Sequence, residues 1–147
     1  MPGRPPRRAP SGYSLLELVI VMMMIGVLLA IALPRTASLR DRSSVRAAMT
    51  DLSAAFSLAR RTALSRRALV SVVLDTAART VEVRSAGDRL WRRTLGESYG
   101  IVLGSDRDSA VYDPRGFGYG VSNLSVIVRR GEMVDTLTMS RLGRVRW

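Results

Sequence analysis

Three patterns of hydrophobic and polar positions follow one another along the chain. From Leu18 to Leu33 the sequence reads LVIVMMMIGVLLAIAL, 16 uncharged residues in a row, and counting back to Tyr13 gives 21 residues interrupted only by Ser14 and Glu17. At about 1.5 Å per residue, a helix of that length spans roughly 31 Å, one hydrocarbon core. Past Pro34, the apolar residues Val45, Met49, Leu52, Phe56, Ala59 and Ala63 recur at intervals of three and four. Arg40, Arg42, Arg46, Arg60, Arg61, Arg66 and Arg67 fall mostly on other faces, which predicts an amphipathic helix laid against a sheet. The stripe is short and alanine-rich, suited to close packing on strands rather than to a self-pairing coiled coil. Pro34 lacks the amide hydrogen a helix interior uses, so a kink is predicted there.

From residue 68 the period falls to two. Residues 68–74 (ALVSVVL) and 80–84 (TVEVR) predict a hairpin, and residues 90–95 and 101–103 predict weaker strands set apart by Gly96 and Gly100. Residues 124–129, 134–139 and 145–147 predict a closing meander with turns at Arg130-Gly131 and Leu142-Gly143. The fold class is therefore α+β: a long N-terminal helix, transmembrane in one half and amphipathic in the other, packed on a small antiparallel β-rich head.

Read from residues alone, the apolar block fits either a membrane anchor or a cleaved secretory signal, with Arg4, Arg7 and Arg8 as the charged region and Ala30-Ile31-Ala32 as the cleavage site. Glu17 favours the anchor. A lone charge within the apolar core costs about 2.5–3.5 kcal/mol on insertion scales and calls for a partner. Orientation is left open, because Arg35, Arg40, Arg42 and Arg46 follow the span just as Arg4, Arg7 and Arg8 precede it.

Composition narrows the chemistry. All 23 basic residues are arginine, there is no histidine or cysteine, and 12 carboxylates leave a formal net charge of +11. Without lysine, histidine or cysteine there is no Schiff base, imidazole relay, thiolate nucleophile, zinc ribbon or disulfide. The charge favours polyanionic or anionic partners. Asp106, Asp108 and Asp113 lack the spacing of a calcium loop and read as a solvated segment, and Gly116-Phe117-Gly118-Tyr119-Gly120 reads as a flexible or bulged connection rather than a phosphate cradle. No metal, cofactor or catalytic constellation is expected, so the chain reads as a non-enzyme.

The segment Ser11-Gly12-Tyr13-Ser14-Leu15-Leu16-Glu17-Leu18 resembles the prepilin peptidase site of type IV pilins and type II secretion pseudopilins. In that family a short basic leader ends in glycine, the mature chain starts on an aromatic residue, usually phenylalanine, and a glutamate stands fifth. Here Gly12 precedes the cut, Tyr13 takes the place of phenylalanine, and Glu17 is fifth counting from Tyr13. The resemblance implies cleavage between Gly12 and Tyr13, N-methylation of Tyr13, and pairing of Glu17 with the terminal amine of a neighbouring subunit during filament assembly, with Pro34 at the usual kink. It divides the chain into a leader at 1–12, a transmembrane helix at 13–34, a stalk helix at 35–67 and a head at 68–147. The implied partners are a prepilin peptidase, other minor and major pilins or pseudopilins, and the bacterial inner membrane, crossed once with the head in the periplasm.

Within the head, Val111-Tyr112-Asp113-Pro114-Arg115-Gly116 and the closing Ser140-Arg141-Leu142-Gly143-Arg144-Val145-Arg146 are similar to the GspH/FimT group of pilin-like proteins. That group commonly carries an aromatic-x-Pro-x-Gly segment before its last hairpins and ends in a strand containing Gly-Arg. Two roles follow from the resemblance: a minor pseudopilin near the tip of a type II secretion pseudopilus, or a minor type IV pilin that captures DNA. If Val145 faces the core, strand alternation puts Arg144 and Arg146 on the exposed face with Arg141 in the adjoining turn, three candidate DNA-binding residues to which Tyr112, Phe117 or Tyr119 would add base stacking. A matching prepilin peptidase is expected to remove twelve residues, and Gly12→Ala to block this; a mature N-terminus at Leu33 by mass spectrometry would establish a secretory signal instead.

Overall fold

The computed structural model describes residues 13–120 and 123–147, apart from the side chains of residues 33–37. The chain divides into two compact units, Met1–Thr36 and Ala37–Trp147, and a single helix, α1 (Leu15–Arg66), contributes to both. The leader, with Gly12, lies outside the described residues. In the first unit the window Leu15–Ala32 is long and apolar enough to cross a membrane, and none of it is buried. Helical structure is assigned through Pro34.

In the second unit α1 supplies one wall of the core. Val45, Met49, Leu52, Phe56, Ala59 and Ala63 are all buried, joined by Ala48 and Ala55. Four alanines in this stripe let the backbone approach the strands closely, while Met49, Leu52 and Phe56 fill the wider gaps. The helix ends at Arg66, and Arg67 follows with a positive φ of 50°, the left-handed conformation that commonly stops a helix.

Two four-stranded antiparallel sheets complete the head. The first has the order β3-β2-β1-β5, with β1 (Val70–Asp75), β2 (Thr80–Ser85), β3 (Asp88–Thr94) and β5 (Ser109–Tyr112). The second has the order β4-β6-β7-β8, with β4 (Val102–Ser105), β6 (Leu124–Arg130), β7 (Met133–Met139) and β8 (Val145–Arg146). Alternation turns Val70, Val72 and Leu74 of β1 and Leu124, Val126 and Val128 of β6 inward, into the same apolar cluster as the α1 stripe.

Two elements go beyond the sequence pattern. Residue 95, predicted to end a strand, instead opens a short helix, α2 (Leu95–Tyr99), which Gly100 closes in a left-handed conformation. The strand β5 carries no clear alternation signal of its own. It exists because its backbone pairs with β1, Val70 opposite Tyr112 and Val73 opposite Ser109.

Polar contacts fix α1 to the loops around it. Arg130 Nε donates to Asp41 Oδ1 at 2.8 Å, and the same guanidinium donates to Ser44 Oγ and to the carbonyl of Tyr99. The Tyr99 hydroxyl donates to Asp51 Oδ2 at 2.7 Å, which Arg93 Nε also approaches to 3.0 Å. These partly exposed pairs set register, and apolar burial supplies most of the stability. Phe56→Ala, which empties a fully buried site, is expected to cost about 3–5 kcal/mol in chemical unfolding of the full chain in detergent.

Candidate functional site

At the start of α1, Ser14 and Glu17 stand in a capping relation. The Ser14 hydroxyl accepts the Glu17 amide hydrogen at 3.2 Å and the Ser14 carbonyl accepts that of Leu18 at 3.2 Å. Ser14 is thus the N-cap and Glu17 the third helical residue, the spacing of a capping box. The pattern Ser-x-x-Glu is readable in the sequence, and it gives Glu17 a local role beside the pairing role implied by the resemblance. A carboxylate in the first turn also sits at the favourable end of the helix dipole. Tyr13 is exposed.

The tail site is built by two segments far apart in sequence. Tyr112, at the end of β5, is fully buried, so it is unavailable for base stacking. Its ring abuts Gly143: a Cβ on Gly143 would lie 2.9 Å from Tyr112 Cε1 and 2.6 Å from the Gly116 carbonyl oxygen, and its φ of +70° disfavours any side chain. The Tyr112 hydroxyl points to the Gly143 carbonyl at 3.4 Å. Asp113 then folds the next turn on itself, its Oδ1 accepting the amides of Arg115 at 2.9 Å and Phe117 at 2.8 Å. Gly116 to Tyr119 of the glycine-rich stretch each donate a backbone hydrogen bond. Gly118 donates to the Arg141 carbonyl of the closing turn at 3.0 Å, and Tyr119 to the Val111 carbonyl of β5 at 2.8 Å.

On this platform the last turn presents its arginines. Gly143 donates to the Ser140 carbonyl and Ser140 to that of Arg144, both at 2.9 Å. Val145 packs half-buried against the core, and Arg144 and Arg146 are exposed on either side of it. Both line a cleft of about 310 Å³ with Ser53, Phe56, Ser57 and Arg60 of α1 and with Tyr112. Both also line a neighbouring hollow of about 360 Å³ with Thr138, Ser140 and Leu142. Arg141 lines neither; its backbone carbonyl holds Gly118. Arg60 was not among the candidate residues, since along the chain it is one of many arginines on a helix, and only folding brings it to the tail.

Asp106 Oδ1 accepts the Ser125 amide at 2.9 Å, and among the described residues no group of acidic side chains is arranged to hold a metal ion.

Burial pushes the Tyr112 hydroxyl up to about 12, with nearby Arg60 pulling in the opposite direction. The fold is type IV pilin-like, and the N-terminal segment carries a prepilin-type methylation motif. Residues 7–33 match the prokaryotic N-terminal methylation motif, which implies processing by a prepilin peptidase and assembly with other pilin-like subunits. The fold is similar to that of the type IV minor pilin FimU of Pseudomonas aeruginosa strain PAO1 in two crystal forms. The first match has a TM-score of 0.61 at 15% identity, covering 71% of this chain and 88% of that one. The second has a TM-score of 0.57 at 14% identity, covering 69% and 90%. No curated protein matches the sequence significantly.

Because the unfolded chain releases the tyrosine proton near pH 10 while the folded chain retains it to about 12, the folded state binds more protons in that window and stability falls as pH rises through it. Tyr112→Phe is expected to remove this component of the decline, as read by unfolding midpoints between pH 9 and 12.

Proposed function

We propose that this protein is a minor pseudopilin of a type II secretion system, a structural subunit placed in or near the tip of a periplasmic pseudopilus, anchored by α1 in the bacterial inner membrane. The observation that carries the minor role is the charge of the second unit, where 19 arginines face 11 carboxylates for a formal +8. Heads of one strong sign repel when stacked as identical copies, so such a subunit suits a few positions among acidic neighbours rather than the repeating shaft. The work is mechanical: α1 packs into the filament, the head makes lateral contacts, and neither a cofactor nor a catalytic step enters.

A second reading is a minor type IV pilin that binds extracellular DNA for uptake. It is favoured by the exposure of Arg144 and Arg146 beside Arg60, and by the exposed Phe117 and Tyr119 on the adjoining turn.

In the filament role, Glu17 pairs with the amine that cleavage creates on a neighbouring Tyr13, offsetting the cost of a carboxylate in lipid. Glutamine at this position preserves the capping spacing and removes the charge, which separates the two roles of the residue. Glu17→Gln is expected to insert and to be cleaved normally, yet to fall about tenfold or more in sheared filament fractions. Normal incorporation of that variant would leave Glu17 with a helix-starting role alone.

A further inference from the structure

We propose that the cleft between α1 and the last turn is a socket for a carboxylate-bearing segment of an acidic neighbouring protein, with Arg60 supplying a cation from the helix. Arg60, Arg144 and Arg146 come from elements more than eighty residues apart and line one cleft of about 310 Å³, together with the hydroxyls of Ser53 and Ser57 and with no carboxylate in its wall. Guanidinium groups and hydroxyls are donors with no competing negative charge, the composition that receives a carboxylate by charge-assisted hydrogen bonds.

Elsewhere in the head, arginines facing carboxylates find them within the chain. Arg84, Arg89 and Arg92 surround Glu82 at 3.4–3.9 Å, Arg93 meets Asp51, and Arg130 meets Asp41. Among the described residues Arg60, Arg144 and Arg146 form no such pair, and they are gathered around one cleft rather than dispersed over the surface. The surroundings favour a protein over nucleic acid. Leu142 is 55% exposed beside Arg144 and Arg146, Leu64 is 47% exposed next to Gly116, and Phe117 is 44% exposed on the same turn. A protein can cover such apolar surface, whereas the outer face of a duplex offers chiefly phosphates; arginine among aromatic and aliphatic side chains is also the composition of interface hot spots. A cleft of this volume, at the small end of ligand pockets, takes individual side chains rather than a length of strand.

The filament reading enters only in saying where such a neighbour is found, and the binding test does not need a filament. Purified full-length protein in detergent is titrated with a labelled peptide alternating glutamate and leucine, with its glutamine counterpart, and with duplex and single-stranded oligonucleotides. The acidic peptide is expected to bind and the glutamine peptide not to; Arg60→Gln, and separately Arg144→Gln with Arg146→Gln, each weaken binding about tenfold or more, while Arg61→Gln has no effect. Thermal unfolding checks that each variant is folded, and the tail pair, being exposed, decides the matter if Arg60→Gln is not. No acidic-peptide binding up to about 1 mM, or binding indifferent to Arg60 and to the tail pair, overturns the socket. So does tighter oligonucleotide binding that the same variants abolish, with log affinity falling at a slope of about −2.7 against log salt, as three phosphate contacts require. Cleavage after Gly12 and incorporation into filaments, followed in the same variants, report on the filament reading separately.

Discussion

The burial of one stripe on α1 is the constraint on which the head depends. Neither sheet has enough apolar surface to close on itself: β3 is largely exposed, and the inward faces of β1 and β6 need a third wall. The helix supplies it with small residues where strands come near and with Met49, Leu52 and Phe56 where they stand off. With no disulfide available in a chain that lacks cysteine, this packing carries the stability. The same helix has an entirely different apolar stretch at Leu15–Ala32, exposed over its whole circumference and long and apolar enough to cross a membrane.

Arginine serves two purposes in the head. Some guanidiniums are clamps: Arg130 gathers Asp41, Ser44 and the Tyr99 carbonyl, and Arg93 joins Asp51 and Tyr99, so the loop carrying α2 is held against α1. Others face outward without an internal carboxylate, and those near the tail cluster at one cleft. A chain whose only cation is arginine has both functions performed by planar, permanently charged forks, which bind carboxylates in pairs of hydrogen bonds and do not titrate near neutrality.

The two head segments that resembled the GspH/FimT group turn out to be one structural device. Tyr112 fills the space that a side chain on Gly143 would need, and the Asp113 turn brings Gly116 and Gly118 against the closing turn. The glycine before Arg144 is therefore explained by a steric fit to a buried ring, and its effect is to set the direction in which Arg144 and Arg146 leave the platform.

By itself the sequence determined the elements whose signals are local. The apolar run, the Ser14-Glu17 spacing, the three-and-four stripe from Val45 to Ala63, and the hairpins β1–β2 and β6–β7 all follow from periodicity, because a helix face or a strand face is defined by neighbours a few residues away. Tertiary structure alone decided the rest. The pairing of β5 with β1, the helical turn at Leu95–Tyr99, the burial of Tyr112 and the meeting of Arg60 with Arg144 and Arg146 depend on backbone hydrogen bonds and contacts between residues tens of positions apart. No periodicity encodes these. They arise where two sheets and a helix close around one core, and the final positions of the charged side chains are a consequence of that closure.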